Sequence, residues 1–158
     1  MSKNIKKVSL EDMYPTIKEL LENGGTVELP ITGTSMLPLL IQGRDSVEIT
    51  KCVTAKKSDI IFYRRDDGHF VLHRIIGKDE NGYILCGDNQ VAKEHRINDK
   101  HIIGVVKSIK RKHKSFSVDK LSYKIYSQIW IILLPIRNII MFPIRRIKRL
   151  YKWAKSRD

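Results

Sequence analysis

The hydrophobic period of this chain changes at Thr26, and that change constrains the fold more than any other feature. From Thr26 onward come six short runs rich in β-branched residues: "TVELPIT", "DSVEIT", "DIIFYRR", "HFVLHRIIG", "GYILCG" and "HIIGVVKSIKR". They are punctuated by "QGR", "RDDGH" and "KDENGY", clusters with turn chemistry. Asp67-Gly68 reads as one hairpin turn and Asn81-Gly82 as another. Before Thr26 the spacing is helical. Ser9 can cap a helix through "LEDMYPTIKELLENGG", in which Leu10, Met13, Ile17, Leu20 and Leu21 fall near helical spacing. Acidic residues occupy its first turn, Gly24-Gly25 ends it, and Pro15 restricts the helix start to its own neighbourhood. One helix followed by six short strands predicts a compact, mostly-β domain, either a curled sheet or an open barrel.

After about Ser115 the pattern turns helical again, and here charge divides the molecule. The net charge is +13. Residues 1–106 hold 15 Lys+Arg and 15 Asp+Glu, whereas residues 107–158 hold 15 Lys+Arg against Asp119 and Asp158 alone. The expected organisation is an N-terminal helix (1–25), a β domain (26–114) and a basic amphipathic helical tail (115–158). A basic excess confined to one end calls for an anionic partner. The most apolar stretch of the tail, Ile129–Phe142, has 14 residues and includes Arg137 and Asn138. A spanning helix needs about 20 apolar residues, and Pro135 and Pro143 interrupt this one. An interfacial element fits better, with Trp130, Tyr151 and Trp153 at headgroup level and residues 116–158 on an anionic membrane surface. The competing reading is a helix that packs back on the β domain. Nucleic acid is the poorer fit, because the tail is too apolar for a simple basic arm. The N-terminus, "MSKNIKKVSLEDMY", has lysines but no apolar run behind them. The expectation is therefore a cytoplasmic protein, peripheral at the membrane.

Hydrophobic residues make up 42% of the chain, which disfavours general disorder. The two cysteines, Cys52 and Cys86, lack metal-ligand spacing and read as reduced thiols in strands. No cluster calls for a metal or another cofactor.

Three short contexts carry the chemistry: "GTSMLP" (33–38), "VLHRI" (71–75) and "CGDNQ" (86–90). Ser35 lies on a turn after a strand, where a hydroxyl and free backbone N–H groups can be exposed together. His73 sits in an apolar strand; alternation puts Val71, His73 and Ile75 on one face and Leu72, Arg74 and Ile76 on the other. Asp88 closes a strand, and Glu94 follows six residues later. Each has an ordinary reading when taken alone: a turn serine, a hydrogen-bonded structural histidine, an Asx turn.

Taken together, "GTSMLPLLIQGRDSVEI", "KKSDIIFYRRDDGHFVLHRIIG" and "CGDNQVAKE" resemble the boxes of the type I signal peptidases and their relatives, the self-cleaving repressor peptidases (the S24–S26 serine peptidases). The resemblance covers residues 26–110. It rests on Ser-Met-x-Pro, a base followed by arginine, and Gly-Asp-Asn, in that order. Most bacterial leader peptidases and the repressors place a lysine before the arginine. Here His73 precedes Arg74, which is similar to the Ser-His branch found in the endoplasmic reticulum, in archaea and in some Gram-positive bacteria.

The resemblance implies a serine endopeptidase that cleaves leader or signal-like peptides through an acyl-enzyme. Ser35 would be the nucleophile and His73 the general base. Backbone around Thr34, Ser35 and Met36 would bind the oxyanion and substrate. The branch places its acid within or just after the Gly-Asp-Asn box, which leaves both Asp88 and Glu94 open. The strand-opening pair is Ser58-Asp59 where the family has Gly-Asp. The rival readings are a self-cleaving or catalytically inactive peptide-binding module of the same fold, and a basic nucleic-acid-binding domain.

Overall fold

The computed structural model describes residues 9–112, 114–137 and 139. Helix α1 (Leu10–Glu22) opens the described chain. The side chain of Ser9 accepts the Asp12 N–H at 3.1 Å, and Glu11 and Asp12 favour the positive end of the helix dipole. Pro15 does not delay the helix: it lies inside it, after a start fixed by the Ser9 cap. The proline forfeits only the one N–H bond that it cannot make. Ile17 and Leu21, four residues apart, are the buried face.

Strands β1 (Thr26–Pro30), β2 (Asp45–Thr50), β3 (Ile60–Arg64), β4 (Phe70–Asp79), β5 (Gly82–Cys86), β6 (Glu94–Ile97), β7 (Ile102–Arg111) and β8 (Lys114–Ser117) form one antiparallel, unclosed sheet. Its order is β1-β2-β7-β3-β4-β5-β6, with β8 beside β7. The mostly-β, curled-sheet expectation holds, and both predicted hairpins are present. Two strands were not foreseen. β6 is only four residues long, and β8 stands where a helical tail was expected to begin. β3 covers only the first half of that side of β7, Ile102–Val105; β8 pairs with the second half, Ser108–Arg111, and packs Phe116 against the core.

Alternation along β3 divides the interior. Ile60 and Phe62 join a core beneath α1 with Leu29, Met36, Val47 and Ile109, whereas Ile61 and Tyr63 join Ile75, Tyr83 and Leu85 on the other face. On β4 the predicted faces hold: Val71 and Ile75 lie with the second cluster and Leu72 with the first.

Helix α2 (Leu121–Ile132) and the 3₁₀ turn Leu134–Ile136 follow β8. α2 packs back on the sheet through Tyr123 and Ser127, followed by Leu134 and Arg137; all four are buried. Leu121, Ile125, Ile129, Ile132, Ile136 and Ile139 are exposed. Among the described residues no helix is long and apolar enough to cross a membrane. The basic part of the tail from residue 140, with Pro143, Tyr151 and Trp153, lies outside the described residues, as do residues 1–8.

Candidate active site

The site is built from the β1–β2 loop, the middle of β4, the loop after β5 and the start of β6. Ser35 is half-buried in the β1–β2 loop. The base of that loop is pinned by buried Asp45. Its carboxylate accepts from the Ile41 N–H and from Arg44 and Arg111, while Arg111 also donates to the Leu39 carbonyl at 2.7 Å. Burial would raise the Asp45 carboxyl, but these donors outweigh it and hold it below the ordinary value. Gly33, at φ +83°, turns the chain into the loop, and no side chain would take that backbone without strain. Among the described residues nothing accepts from the N–H groups of Thr34, Ser35 and Met36.

His73 is buried on β4, opposite Ile61 of β3. Its Nδ1 lies 2.9 Å from Glu94 Oε1 and 3.1 Å from the Tyr63 hydroxyl. Arg65 grips both Glu94 oxygens, at 2.8 and 2.5 Å. Burial alone would raise the Glu94 carboxyl. Hydrogen bonds from His73, Arg65 and Tyr63 prevail and keep it well below the usual carboxylate range. An ionised carboxylate only accepts, so the contact selects the tautomer with its proton on Nδ1. In the neutral imidazole Nε2 is then the acceptor nitrogen, on the far side of the ring. There it meets Gly87: a Cβ on that glycine would lie 3.1 Å from His73 Nε2 and 2.7 Å from the Ser35 carbonyl oxygen. The imidazole and the serine turn thus converge on one residue that has no room for a side chain.

The two candidate acids have separate partners. Glu94 touches His73. Asp88 is fully buried and forks both oxygens onto Arg74, at 2.8 and 2.7 Å. Arg74 in turn donates to the Ser58 carbonyl and the Ser127 hydroxyl. Burial disfavours the Arg74 charge, but Asp88 more than restores it. The orienting contact considered for Asp88 is therefore not the one it makes.

Ser35 also lines a cleft of about 400 Å³ walled by Leu10 and Met13 of α1, Leu29 and Pro30 of β1, and Phe70 and Leu72 of β4. Both strands have an unpaired side here. β1 is a sheet edge, and β5 pairs with β4 only from Arg74 onward. An apolar cleft between strand edges suits an extended chain.

A family model described as Peptidase S24-like matches residues 2–107. The chain belongs to the S24-like peptidase family. The S24-like match takes in Ser35, His73, Asp88 and Glu94 and stops before β8 and α2. Comparison with curated proteins and with solved structures finds no significant match.

Several residues around the S24-like site escaped the sequence reading. Tyr63 and Arg65 were legible in principle. Once Asp67-Gly68 is taken as a hairpin turn, the register puts Ile61, Tyr63 and Arg65 on the His73 face. The partners on α2 and just after it carried no such signal, because much of what they touch is backbone. Trp130 donates to the Asp88 carbonyl, and Arg137 to the carbonyls of Gly87 and Gln90.

Proposed function

We propose that this S24-like protein is a serine endopeptidase of the Ser-His type, with Ser35 as nucleophile, His73 as general base and Glu94 as the acid that orients it. The observation that carries the reading is the Arg65–Glu94–His73 relay, which leaves Nε2 free where the ring meets the Ser35 turn. Nε2 takes the proton as Ser35 Oγ attacks the scissile carbonyl carbon, and Glu94 stabilises the imidazolium that forms. N–H groups of Thr34, Ser35 and Met36 hold the oxyanion. The C–N bond then breaks, His73 returns its proton to the leaving amine, and an ester on Ser35 remains. Water, deprotonated by Nε2, hydrolyses that ester to the new carboxylate and free Ser35. Asp88 supports this arrangement from behind by neutralising Arg74.

The substrate is an extended leader or signal-like peptide, with small residues before the cut, laid along β1 and β4 in the cleft. The partner of the C-terminal part (116–158) is an anionic membrane surface at the cytoplasmic face. Two observations support it: the exposed row Leu121, Ile125, Ile129, Ile132, Ile136 and Ile139, and the basic excess of residues 107–158. The family also contains self-cleaving repressors, which keeps cleavage of the chain itself as the second reading.

Comparing protein N-termini in the native cell, wild type against Ser35→Ala, tests both. A peptidase acting on others loses a few mature N-termini in the variant, and their uncut precursors accumulate. A self-cleaving chain shows instead a new N-terminus within itself that Ser35→Ala abolishes. Identical lists would refute both readings.

A further inference from the structure

The loop Gly87–Gln90 is held from two sides. On one side it supports the serine turn: the Asn89 N–H donates to the Ser35 carbonyl at 2.7 Å, and Asn89 Nδ2 donates to the Thr34 carbonyl at 3.1 Å. On the other side three of its four carbonyls accept from the C-terminal segment. Trp130 Nε1–H donates to Asp88 O at 2.9 Å, and Arg137 Nη1 donates to Gly87 O at 3.1 Å and Gln90 O at 3.3 Å. Arg137 also ties back to α2, with Nη2 on the Trp130 carbonyl at 2.6 Å and its guanidinium over the indole ring.

Arg137 is buried and forms no salt bridge among the described residues. A guanidinium out of water is costly unless it is well hydrogen-bonded. Merely closing a helix would not call for one, since an apolar residue would pack there at lower cost. What the charge obtains is a bifurcated grip on two carbonyls of one particular loop. That loop carries the acid that pairs with Arg74, and the glycine between His73 Nε2 and the Ser35 backbone. The segment lies wholly beyond the residues matched by the family model.

We propose that Trp130 and Arg137 are positioning residues: they clamp the Gly87–Gln90 loop and through Asn89 set the Ser35 turn against His73. The clamp is transmitted through backbone hydrogen bonds and touches neither substrate nor Ser35 directly. Its catalytic meaning rests on the peptidase reading above, whereas its effect on the Ser35 turn does not. A displacement of about 1 Å at a nucleophile can cost a hundredfold in rate.

The test uses the full chain. Trp130→Phe removes the indole N–H and keeps an aromatic ring against Tyr126. Arg137→Ala removes the grip, Arg137→Lys restores a cation without the fork, and Val53→Ser, at an exposed position, serves as control. Hydrogen exchange is read by NMR at the Asn89 amide and at core amides of Ile61 and Ile109. The rate and half-saturation of Ser35 phosphonylation by a fluorophosphonate, in which an O–P bond forms and fluoride leaves, are read in parallel.

The clamp predicts that Trp130→Phe and Arg137→Ala speed exchange at Asn89 by about tenfold, with the core amides unchanged. It predicts a fall in the maximal phosphonylation rate at constant half-saturation, with Arg137→Lys recovering part of it and Val53→Ser unaffected. Should Arg137→Ala fail to fold, Trp130→Phe decides alone. Unchanged exchange at Asn89, or equal acceleration at Asn89, Ile61 and Ile109, overturns the clamp. If the wild type is never phosphonylated while Asn89 responds as expected, the clamp stands and the peptidase reading falls.

Discussion

Two acids six residues apart make opposite kinds of contact, and the difference is measurable. Asp88 neutralises a fully buried guanidinium, so Asp88→Asn should cost about 3–5 kcal/mol of stability by leaving Arg74 uncompensated. Glu94 pairs with Arg65, which is partly open to solvent, so Glu94→Gln should keep the fold to within about 1–2 kcal/mol. Urea unfolding of both variants checks the ranking; equal losses would contradict it. Glu94 also has a pH signature. Its folded carboxyl titrates below the ordinary 4.5, so the unfolded chain binds the proton first as pH falls. Its stabilising contribution is therefore complete above that value and is lost as pH drops toward the folded value. The urea midpoint of the wild type should decline more steeply below about pH 4.5 than that of Glu94→Gln. From sequence these two acids could not be separated. Which one reaches His73 depends on how the chain leaves β5 and starts β6, and β6 is too short to announce itself by alternation.

At the scale of elements, hydrophobic period and turn chemistry made most of the sheet legible. β1 to β5 and β7 lie where β-branched runs end in Gly or Asx clusters. β8 was hidden because "KSFS" has one apolar residue, and its place exists only because β3 leaves half of β7 uncovered. The turn into β3 shows a departure with a cost. Ser58 sits at φ +83°, a conformation a side chain disfavours by about 1 kcal/mol or more. Its carbonyl accepts from Arg74, its N–H donates to Ile75, and its hydroxyl accepts from Gln128 of α2. Backbone bonds that any residue can make hold the strained turn. Ser58→Gly should thus raise stability by about 0.5–1 kcal/mol, while Ser58→Ala should lower it. Thermal unfolding of the pair decides, and an alanine variant more stable than the glycine variant would contradict the account.

Across the whole molecule, residues 1–106 balance their charges and carry the site, whereas residues 107–158, from the second half of β7 onward, carry the surplus. That division was readable from charge alone. The two faces of α2 were not, since burial of Tyr123 and Ser127 follows from the sheet they meet. The exposed face makes its own prediction. Ile125→Glu with Ile132→Glu should abolish sedimentation with anionic vesicles while leaving the melting temperature within a few degrees, because both side chains are exposed. Unchanged sedimentation would remove the membrane from the account. The central claim, that Ser35 is activated by a histidine held by Glu94, is tested most directly by covalent labelling. The full chain is treated with a fluorophosphonate, and the modified residue is located by peptide mass spectrometry. The account predicts adduct on Ser35 alone, slowed on the order of 10⁴-fold in His73→Ala and by at least about 10²-fold in Glu94→Gln. A wild type that stays unmodified, or a His73→Ala chain labelled as fast as the wild type, would contradict it.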